Sequence, residues 1–291
     1  MQTPQLYPVL STHNAHPRDE FISFEEEGHK YTITSDLDTT YTSVTTWNHT
    51  HFPKFDADEV IKKMMKGKNW KLGHKYWGMT AEEIKKQWSN NGAAVSSAGT
   101  DMHFQIECFM NNQNIPVDYT HADLHNDWLR CNNKDDIENT SIEWKYFLKF
   151  VQDNLNLKPY RTEWLIYHEE LKLSGSIDMV YEKPDGSLMI YDWKRSKEIK
   201  KVNSFNKFAT TFSISHLPDT NFWHYSLQLN TYKAIIEAKY GKKVTELYLV
   251  RLHPDCEDGT YDLIPVPDLS KDIELLFALR KDSFNNNLLI G

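Results

Sequence analysis

Apolar residues recur along the chain with two periods, one typical of helices and one typical of strands. The helical period predicts long helices at residues 96–112, 141–155, 222–239 and 270–284. Shorter helices are predicted at 56–75, where Asp56 is placed to cap the first turn, and from Thr80 to the residue before Gly92. Gly241 follows the third long helix, in the position of a C-terminal cap.

The strand period predicts strands at 21–46 around a Glu-Glu-Gly-His turn, at 160–192 and at 244–252. The polar stretches 1–20 and 113–139 are expected to be mostly loop. Helices precede a hairpin-rich stretch, which is followed by helix, strand and helix, without a repeat or a dividing linker. This order predicts a single α/β or α+β domain across the chain, residues 1–291, with a central mixed β-sheet flanked by helices.

Composition narrows the class of protein. The chain is 40% hydrophobic and 25% charged, as in folded proteins, and no run of about 18 apolar residues predicts a membrane span. The first 20 residues show neither an export signal nor an organelle signal. Three widely spaced cysteines do not support a disulfide framework or a zinc ribbon, so we expect an intracellular, reducing compartment.

The net charge of −8 argues against a protein that merely coats DNA, but it is compatible with an enzyme whose metal ions offset carboxylates. Basic residues are concentrated at 62–75 and at 194–201, either as solvated faces or as guides for a nucleic-acid backbone. Five aromatic side chains are candidates either for core packing or for stacking on unpaired bases: His49, His51, Trp70, Trp77 and Trp88.

Charged residues interrupt two apolar strands at 175–197. A Pro-Asp-Gly-Ser turn centred on Asp185 places Asp178 nearly opposite Asp192, because each lies seven residues from the turn, within one residue of register. Asp192 and Lys194 share a face, since side chains alternate along a strand. Either a buried ion pair or a metal site is expected, because buried carboxylates are costly unless they pair or bind metal.

Two carboxylates that converge from neighbouring strands suit a hard cation such as Mg²⁺ or Mn²⁺. A lysine beside such an ion can orient or deprotonate water, or neutralise charge that develops on a phosphate. The alternative without a metal site is a structural α/β protein with a buried ion pair, for which Mn²⁺ would not change the melting temperature.

The hairpin residues resemble the PD-(D/E)XK nuclease signature, with Asp178 followed by Asp192-Trp193-Lys194. Four further motifs are similar to those of its RecB-like exonuclease branch, which includes the mitochondrial genome maintenance exonucleases and viral or phage relatives. In chain order across residues 95–255, these motifs are AGTDMH with Gly99 and His103, RTEWLIY with Glu163, LSGSIDMV, and YSLQLNTYKAII with Gln228, Leu229 and Tyr232.

The resemblance implies a restriction-endonuclease-like core with a two-metal site for Mg²⁺ or Mn²⁺. It implies metal binding by Asp178, Asp192, His103 and the Trp193 carbonyl, with Lys194 and Glu163 acting on the attacking water. Gln228 and Tyr232 would line the site or hold the DNA backbone, and Arg195 and Lys197 of the second basic segment would contact substrate. Glu107, four residues after His103, would share its helix face as a supporting group or a solvated glutamate.

Iron–sulfur members of this branch carry four cysteines, and this chain has only three, so no iron–sulfur cluster is expected. The sequence therefore predicts a metal-dependent DNA exonuclease acting on single-stranded or end-containing DNA, with no membrane partner. The alternatives are an endonuclease of the same superfamily acting on DNA or RNA, and a catalytically silent nucleic-acid-binding protein.

Overall fold

The computed structural model describes residues 8–133 and 138–288, and side chains up to 284. Within these ranges, none of the helices combines the length and the apolar character that crossing a membrane requires. The order of the elements is mixed, as the sequence predicts, and helices cover both faces of a central sheet.

The central sheet has six strands: β3 (Thr42–Ser43), β4 (Lys158–His168), β5 (Leu173–Glu182), β6 (Leu188–Lys194), β7 (Val244–Arg251) and β8 (Asp262–Pro265). Its order is β3-β5-β6-β7-β8, and β4 also pairs with β5. The β3–β5 and β6–β7 pairs are parallel and the others are antiparallel, so the sheet is mixed. A separate hairpin, β1 (Ile22–Glu25) and β2 (Lys30–Ile33), confirms the turn predicted within 21–46.

Eight α-helices are described: α1 (Val9–His13), α2 (Val44–His49), α3 (Ala57–Met65), α4 (Ala81–Met110), α5 (His121–Cys131), α6 (Ile142–Asp153), α7 (Asn221–Lys239) and α8 (Ser270–Leu288). Side chains of β6 alternate between two buried clusters. Ile190 lies in the cluster that includes α2, α7 and α8, whereas Met189 and Tyr191 lie in the cluster that includes α4, α5 and α6. Asp192 therefore projects on the α7 side of the sheet.

The two helices predicted at 80–91 and 96–112 are wrong as separate elements, because α4 runs through both. Its start is fixed by a capping box, in which Thr80 and Glu83 exchange hydrogen bonds. Gly92 does not end it, since a glycine inside a helix costs only about 1 kcal/mol relative to alanine. The result is one continuous 30-residue helix in place of the two predicted helices.

Three other boundaries differ from the sequence-based predictions. The helix predicted at 56–75 is capped by Asp56 as expected but ends at Met65, after which the chain makes turns to the start of α4. The predicted loop at 113–139 contains α5, whose first turn is closed by Thr120 and Asp123; residues 134–137 lie outside the described residues. The predicted loop at the N-terminus contains α1 and a short 3₁₀ helix, while its first seven residues lie outside the described part.

Candidate active site

The β5–β6 ladder ends at the Met179–Tyr191 pair, one residue before the two aspartates. Asp178 and Asp192 continue this register, which confirms their predicted placement across the hairpin. Beyond the last pair, the Trp193 backbone N–H donates to Asp178 Oδ2 at 3.0 Å. A side chain thus replaces the next rung of the ladder, and this bond fixes the Asp178 carboxylate beside β6.

Asp192 and Lys194 form a buried ion pair, with 2.7 Å between Oδ2 and Nζ. Asp192 is 2% exposed, and this oxygen lacks a hydrogen bond of good geometry, so Coulomb attraction dominates the contact. The Lys194 ammonium also lies 4.5 Å from the centre of the Tyr225 ring on α7. The pair and the ring hold Lys194 in place next to both carboxylates.

Burial and mutual repulsion set the protonation of this group. Burial raises the pKa of Asp192 to about 6 and also raises the pKa of Asp178, although nearby cations oppose the shift. Burial alone lowers the pKa of Lys194, but the carboxylates of Asp192 and Asp178 outweigh it and raise that pKa above its usual range. Lys194 therefore keeps its proton while it faces the two carboxylates.

Glu163 lies on β4 in register opposite Asp178, between the Thr162–Met179 and Trp164–Ile177 pairs. Its φ of 43° is in the left-handed region, where a residue with a β-carbon is strained by about 1–3 kcal/mol. Ser176 Oγ donates to Glu163 Oε2 at 2.9 Å. The strained backbone and this hydrogen bond turn the Glu163 carboxylate toward Asp178.

His103 reaches the site from α4. Its Nε2 lies 2.9 Å from the Trp193 carbonyl oxygen, which can only accept, so Nε2 carries the proton. Its Nδ1 lies 3.6 Å from Asp178 Oδ2 and 3.8 Å from Glu163 Oε1. Burial lowers the pKa of His103, but Asp178 and Glu163 outweigh it and raise the pKa to about 9.

The donor atoms fit a divalent cation. One ligand atom from each of His103, Glu163 and Asp178 lies within 4.8 Å of the others. Asp192 lies outside this group and pairs with Lys194, so its role as a metal ligand stays a prediction. Carboxylate oxygens with one imidazole suit Mg²⁺ or Mn²⁺. In this arrangement the Trp193 carbonyl is already bonded to His103, and its role as a metal ligand stays a prediction.

A cavity of about 940 Å³ opens beside this group, between α1, α4, the β1–β2 hairpin and β4. His103 and Glu163 line its wall, whereas Asp178, Asp192 and Lys194 do not. A β-carbon at Gly99, on the same wall, would contact nothing within 4 Å, so the described chain leaves room there.

Glu107, one helical turn beyond His103, also lines this cavity. Burial, and then the nearby Glu163 carboxylate, raise the pKa of Glu107 to about 7. A solvated glutamate would not be half-buried in this way, so the structure favours the supporting position beside His103 over a solvent-facing one.

Gly175 and Tyr232 pack directly on each other. A β-carbon at Gly175 would lie 2.7 Å from Tyr232 Cε1, which explains why glycine precedes the first aspartate of the hairpin. Tyr232 is 3% exposed, and Gln228 Nε2 donates to its hydroxyl at 3.1 Å. Tyr232 therefore supports β5 from behind, while the half-buried Gln228 lies nearer the surface; substrate contact by either stays a prediction.

The two cations predicted to contact substrate have partners within the fold. Arg195 Nε and Nη2 lie 2.9 and 2.8 Å from Glu143 Oε1, at the start of α6. Lys197 is exposed and lies 3.4 Å from Asp255 Oδ2. Contact of these two cations with a nucleic acid stays a prediction.

Three contributors are absent from the sequence-based site. Tyr225 lies three residues before Gln228 on α7, so helical spacing alone could have placed it on the same face. Ser176 precedes Asp178 by two residues on β5, and strand alternation could have identified it. Glu143 gives no local signal, because only the tertiary fold brings it to Arg195.

Residues 97–279, more than half of the chain, match the PD-(D/E)XK nuclease superfamily. The chain belongs to this superfamily, whose members are nucleases, and the mixed sheet flanked by helices is the restriction-endonuclease-like core that the sequence predicts. The comparison with curated proteins found no match. The closer likeness to the RecB-like branch stays a prediction.

Proposed function

We propose that the chain is a metal-dependent DNA exonuclease that hydrolyses single-stranded or end-containing DNA. The observation that carries this proposal is the convergence of Asp178, Asp192 and Lys194 with His103, in which the Trp193 backbone joins Asp178 to His103. A protein that only binds nucleic acid does not need to bury this costly set of charges.

Asp178, Asp192, Glu163 and His103 would hold the divalent ions, and the cavity beside them would admit the substrate. When bound, Mg²⁺ or Mn²⁺ supplies a lowered pKa for bound water and Lewis-acid stabilisation of the scissile phosphate. The ligands must be deprotonated for this, so ion binding displaces protons from Asp192 and from His103.

In the proposed reaction, water attacks phosphorus in line and gives up one proton, the phosphorus–oxygen bond to the leaving nucleotide breaks, and the leaving oxygen takes up one proton, so that one water is added in total. Lys194 is held protonated by its neighbours, which supports a role as a donor to the negative charge that develops on the phosphate. Glu163 and the Ser176 hydroxyl, which line the cavity, would orient water there.

The preference for a free end rests on the resemblance of the motifs to exonucleases and on the cavity that borders the site on one side. The test is cleavage of a labelled linear single strand against the same sequence closed into a circle, with Mg²⁺, Mn²⁺ or EDTA. Loss of the linear strand alone, abolished by EDTA, is the expected result. Cleavage of both strands would show that the protein is an endonuclease instead. If only an RNA strand of the same sequence is cleaved, the substrate is RNA and not DNA.

A further inference from the structure

A basic and aromatic surface lies at residues 62–77, at the end of α3 and in the turns that follow it; we call it the lysine arm. Its sequence, KKMMKGKNWKLGHKYW, contains six lysines and no aspartate or glutamate, although the whole chain has a net charge of −8. The turns are ordered by backbone hydrogen bonds from Lys66 to Met79 and by positive φ at Gly73.

The lysines of the arm are exposed, and few of them are neutralised. Lys63 pairs with Glu59 one turn away, and the Lys75 ammonium lies 5.1 Å from the Tyr76 ring. Within the described part of the chain, no carboxylate lies within 4 Å of the ammonium groups of Lys62, Lys66, Lys68 or Lys71. Several uncompensated charges on one ordered segment attract a polyanion.

Aromatic rings lie among these lysines. The Trp70 ring centre is 5.0 Å from His74 and 5.8 Å from Trp77, and Trp77 is 46% exposed. None of these rings belongs to the three buried hydrophobic clusters of the described residues, so core packing does not account for them. An exposed ring among lysines is a platform on which unpaired bases stack.

The arm is fixed to the helix that carries His103. Trp88 Nε1, on α4, donates to the Tyr76 hydroxyl at 2.9 Å, and Lys85 of α4 pairs with Asp58 of α3 at 2.9 Å. Fifteen residues separate Trp88 from His103, which is about 22 Å along an α-helix. The arm therefore stands at a set distance from the active site.

The stretch of α4 between the arm and His103 carries small side chains, most of which are exposed. Residues 92–100 are small (GAAVSSAGT) and almost all exposed. A β-carbon at Gly92 or at Gly99 would contact nothing within 4 Å. Nothing in the described part of the chain covers this path, so a strand held on the arm has a clear route to the site.

We propose that the lysine arm binds single-stranded DNA and holds it along α4 as it enters the active site. The single strand is the occupant that matches both features, because lysines contact its phosphates and Trp77 stacks on bases that a duplex would keep paired. Nucleotides are spaced about 3.4 Å apart when stacked as in a duplex and about twice as far apart when extended, so about three to six nucleotides span the distance between the arm and His103. The direction of the strand toward the site rests on the proposed function, but binding to the arm does not.

The first test measures binding of a labelled 15-nucleotide single strand in EDTA, where hydrolysis cannot interfere. The triple variant Lys66→Gln, Lys68→Gln, Lys71→Gln and the single variant Trp77→Ala are each expected to weaken binding about tenfold. A control, Lys243→Gln, Lys271→Gln, Lys281→Gln, removes three exposed charges elsewhere and should leave affinity within about twofold. Leu72→Ala, in the arm and 86% exposed, controls for lost apolar surface without a lost ring.

The second test uses hydrolysis of 2-nucleotide and 15-nucleotide strands with Mn²⁺. The arm variants should raise KM for the longer strand about tenfold, with kcat unchanged, and leave KM for the shorter strand as in the wild type. The short strand cannot reach from the site to the arm, so it reports the active site alone.

The two proposals fail separately. If the arm variants and their controls bind the single strand with equal affinity, the proposed binding role of the arm is wrong, even if the chain hydrolyses DNA. Arm-dependent binding without hydrolysis in any metal supports the arm and overturns the proposed exonuclease. If the fluorescence of the arm changes with anionic lipid vesicles but not with single strands, the arm is not a nucleic-acid-binding site. Circular dichroism confirms in each case that the variants are folded.

Discussion

The active-site hairpin and the lysine arm both place lysines near aromatic rings, but the two regions differ in the burial and the pairing of their positive charges. In the hairpin, Lys194 is buried and paired with Asp192, and Arg195 is paired with Glu143. In the arm, the lysines are exposed, and most have no carboxylate partner among the described residues. Pairing, rather than the number of basic residues, separates the two segments.

This difference separates two tasks. A charge fixed by a buried partner has one geometry, and it can act on a reacting phosphate at short distance. An exposed, unpaired ammonium is mobile and hydrated, and it suits a backbone whose sequence and position vary. The hairpin is therefore expected to determine kcat, whereas the arm is expected to determine affinity.

The largest expected effect is at Lys194. Replacing Lys194 with alanine removes the donor to the developing charge and leaves Asp192 without its partner, so kcat should fall by a factor on the order of 10³. Single-turnover cleavage of a linear strand measures this. Lys197→Ala, on the exposed side of the same segment, is the comparison, and a loss as large there would contradict the distinction between fixed and mobile charges.

The second effect concerns pH. Ion binding displaces protons from Asp192, whose pKa is about 6, and from His103, whose pKa is about 9, so the apparent affinity for Mn²⁺ should rise most steeply from pH 5 to pH 6 and then continue to rise, about tenfold per unit, toward pH 9. DNA binding to the arm in EDTA should stay constant across this range, because lysine side chains keep their charge. Melting-temperature shifts with Mn²⁺ measure the first, and fluorescence titration measures the second.

The raised pKa of Asp192 also determines how the stability of the fold changes with pH. The folded state holds a proton on Asp192 up to about pH 6, whereas an unfolded chain releases it near pH 4. The folded state therefore binds more protons in this window, and without metal this group makes stability fall as pH rises from about 4 to 6. Asp192→Asn should remove this dependence; an unchanged profile would contradict the raised pKa.

The third effect concerns salt. Each phosphate contact made by a lysine contributes about −0.7 to the slope of log K against log salt for single strands. Removing Lys66, Lys68 and Lys71 should therefore reduce the slope by about 2 in EDTA. Arg195→Gln should change it far less, because its guanidinium is already occupied by Glu143. The opposite order would transfer the binding role to the hairpin.

The smallest effect is on stability. Asp178→Asn keeps an oxygen for the Trp193 N–H and removes a buried charge whose pKa burial raises. In EDTA this variant should be about 1 kcal/mol more stable than the wild type, while the stabilisation by Mn²⁺ is lost. Urea denaturation with and without Mn²⁺ measures both, and a destabilised variant would show that Asp178 serves the fold first.

The local pattern was sufficient for the hairpin and its register. The turn at Asp185 and strand alternation placed Asp178 opposite Asp192, since both depend on neighbours within ten residues. Alternation along β6 also placed Asp192 and Lys194 on one face. The central mixed sheet flanked by helices follows from the order of the predicted elements along the chain.

Long-range features were not predictable from local pattern. The continuity of α4 depends on the tolerance of Gly92 inside a helix, and the left-handed backbone of Glu163 within β4 depends on the pairing of β4 with β5. The partners Glu143 and Tyr225 come from helices that only the tertiary fold brings to the hairpin. The two basic segments had the same signature in the sequence, and only pairing distinguished them.

The most direct test of this account is one set of single-turnover curves. The rate of cleavage of a labelled linear 15-nucleotide strand is measured against enzyme concentration in Mn²⁺ for three proteins: the wild type, Lys194→Ala, and the triple arm variant at Lys66, Lys68 and Lys71. The account predicts a lower maximal rate with unchanged half-saturation for the first variant. For the second it predicts a raised half-saturation with an unchanged maximal rate. The reverse assignment, or no cleavage by the wild type in any metal, would contradict it.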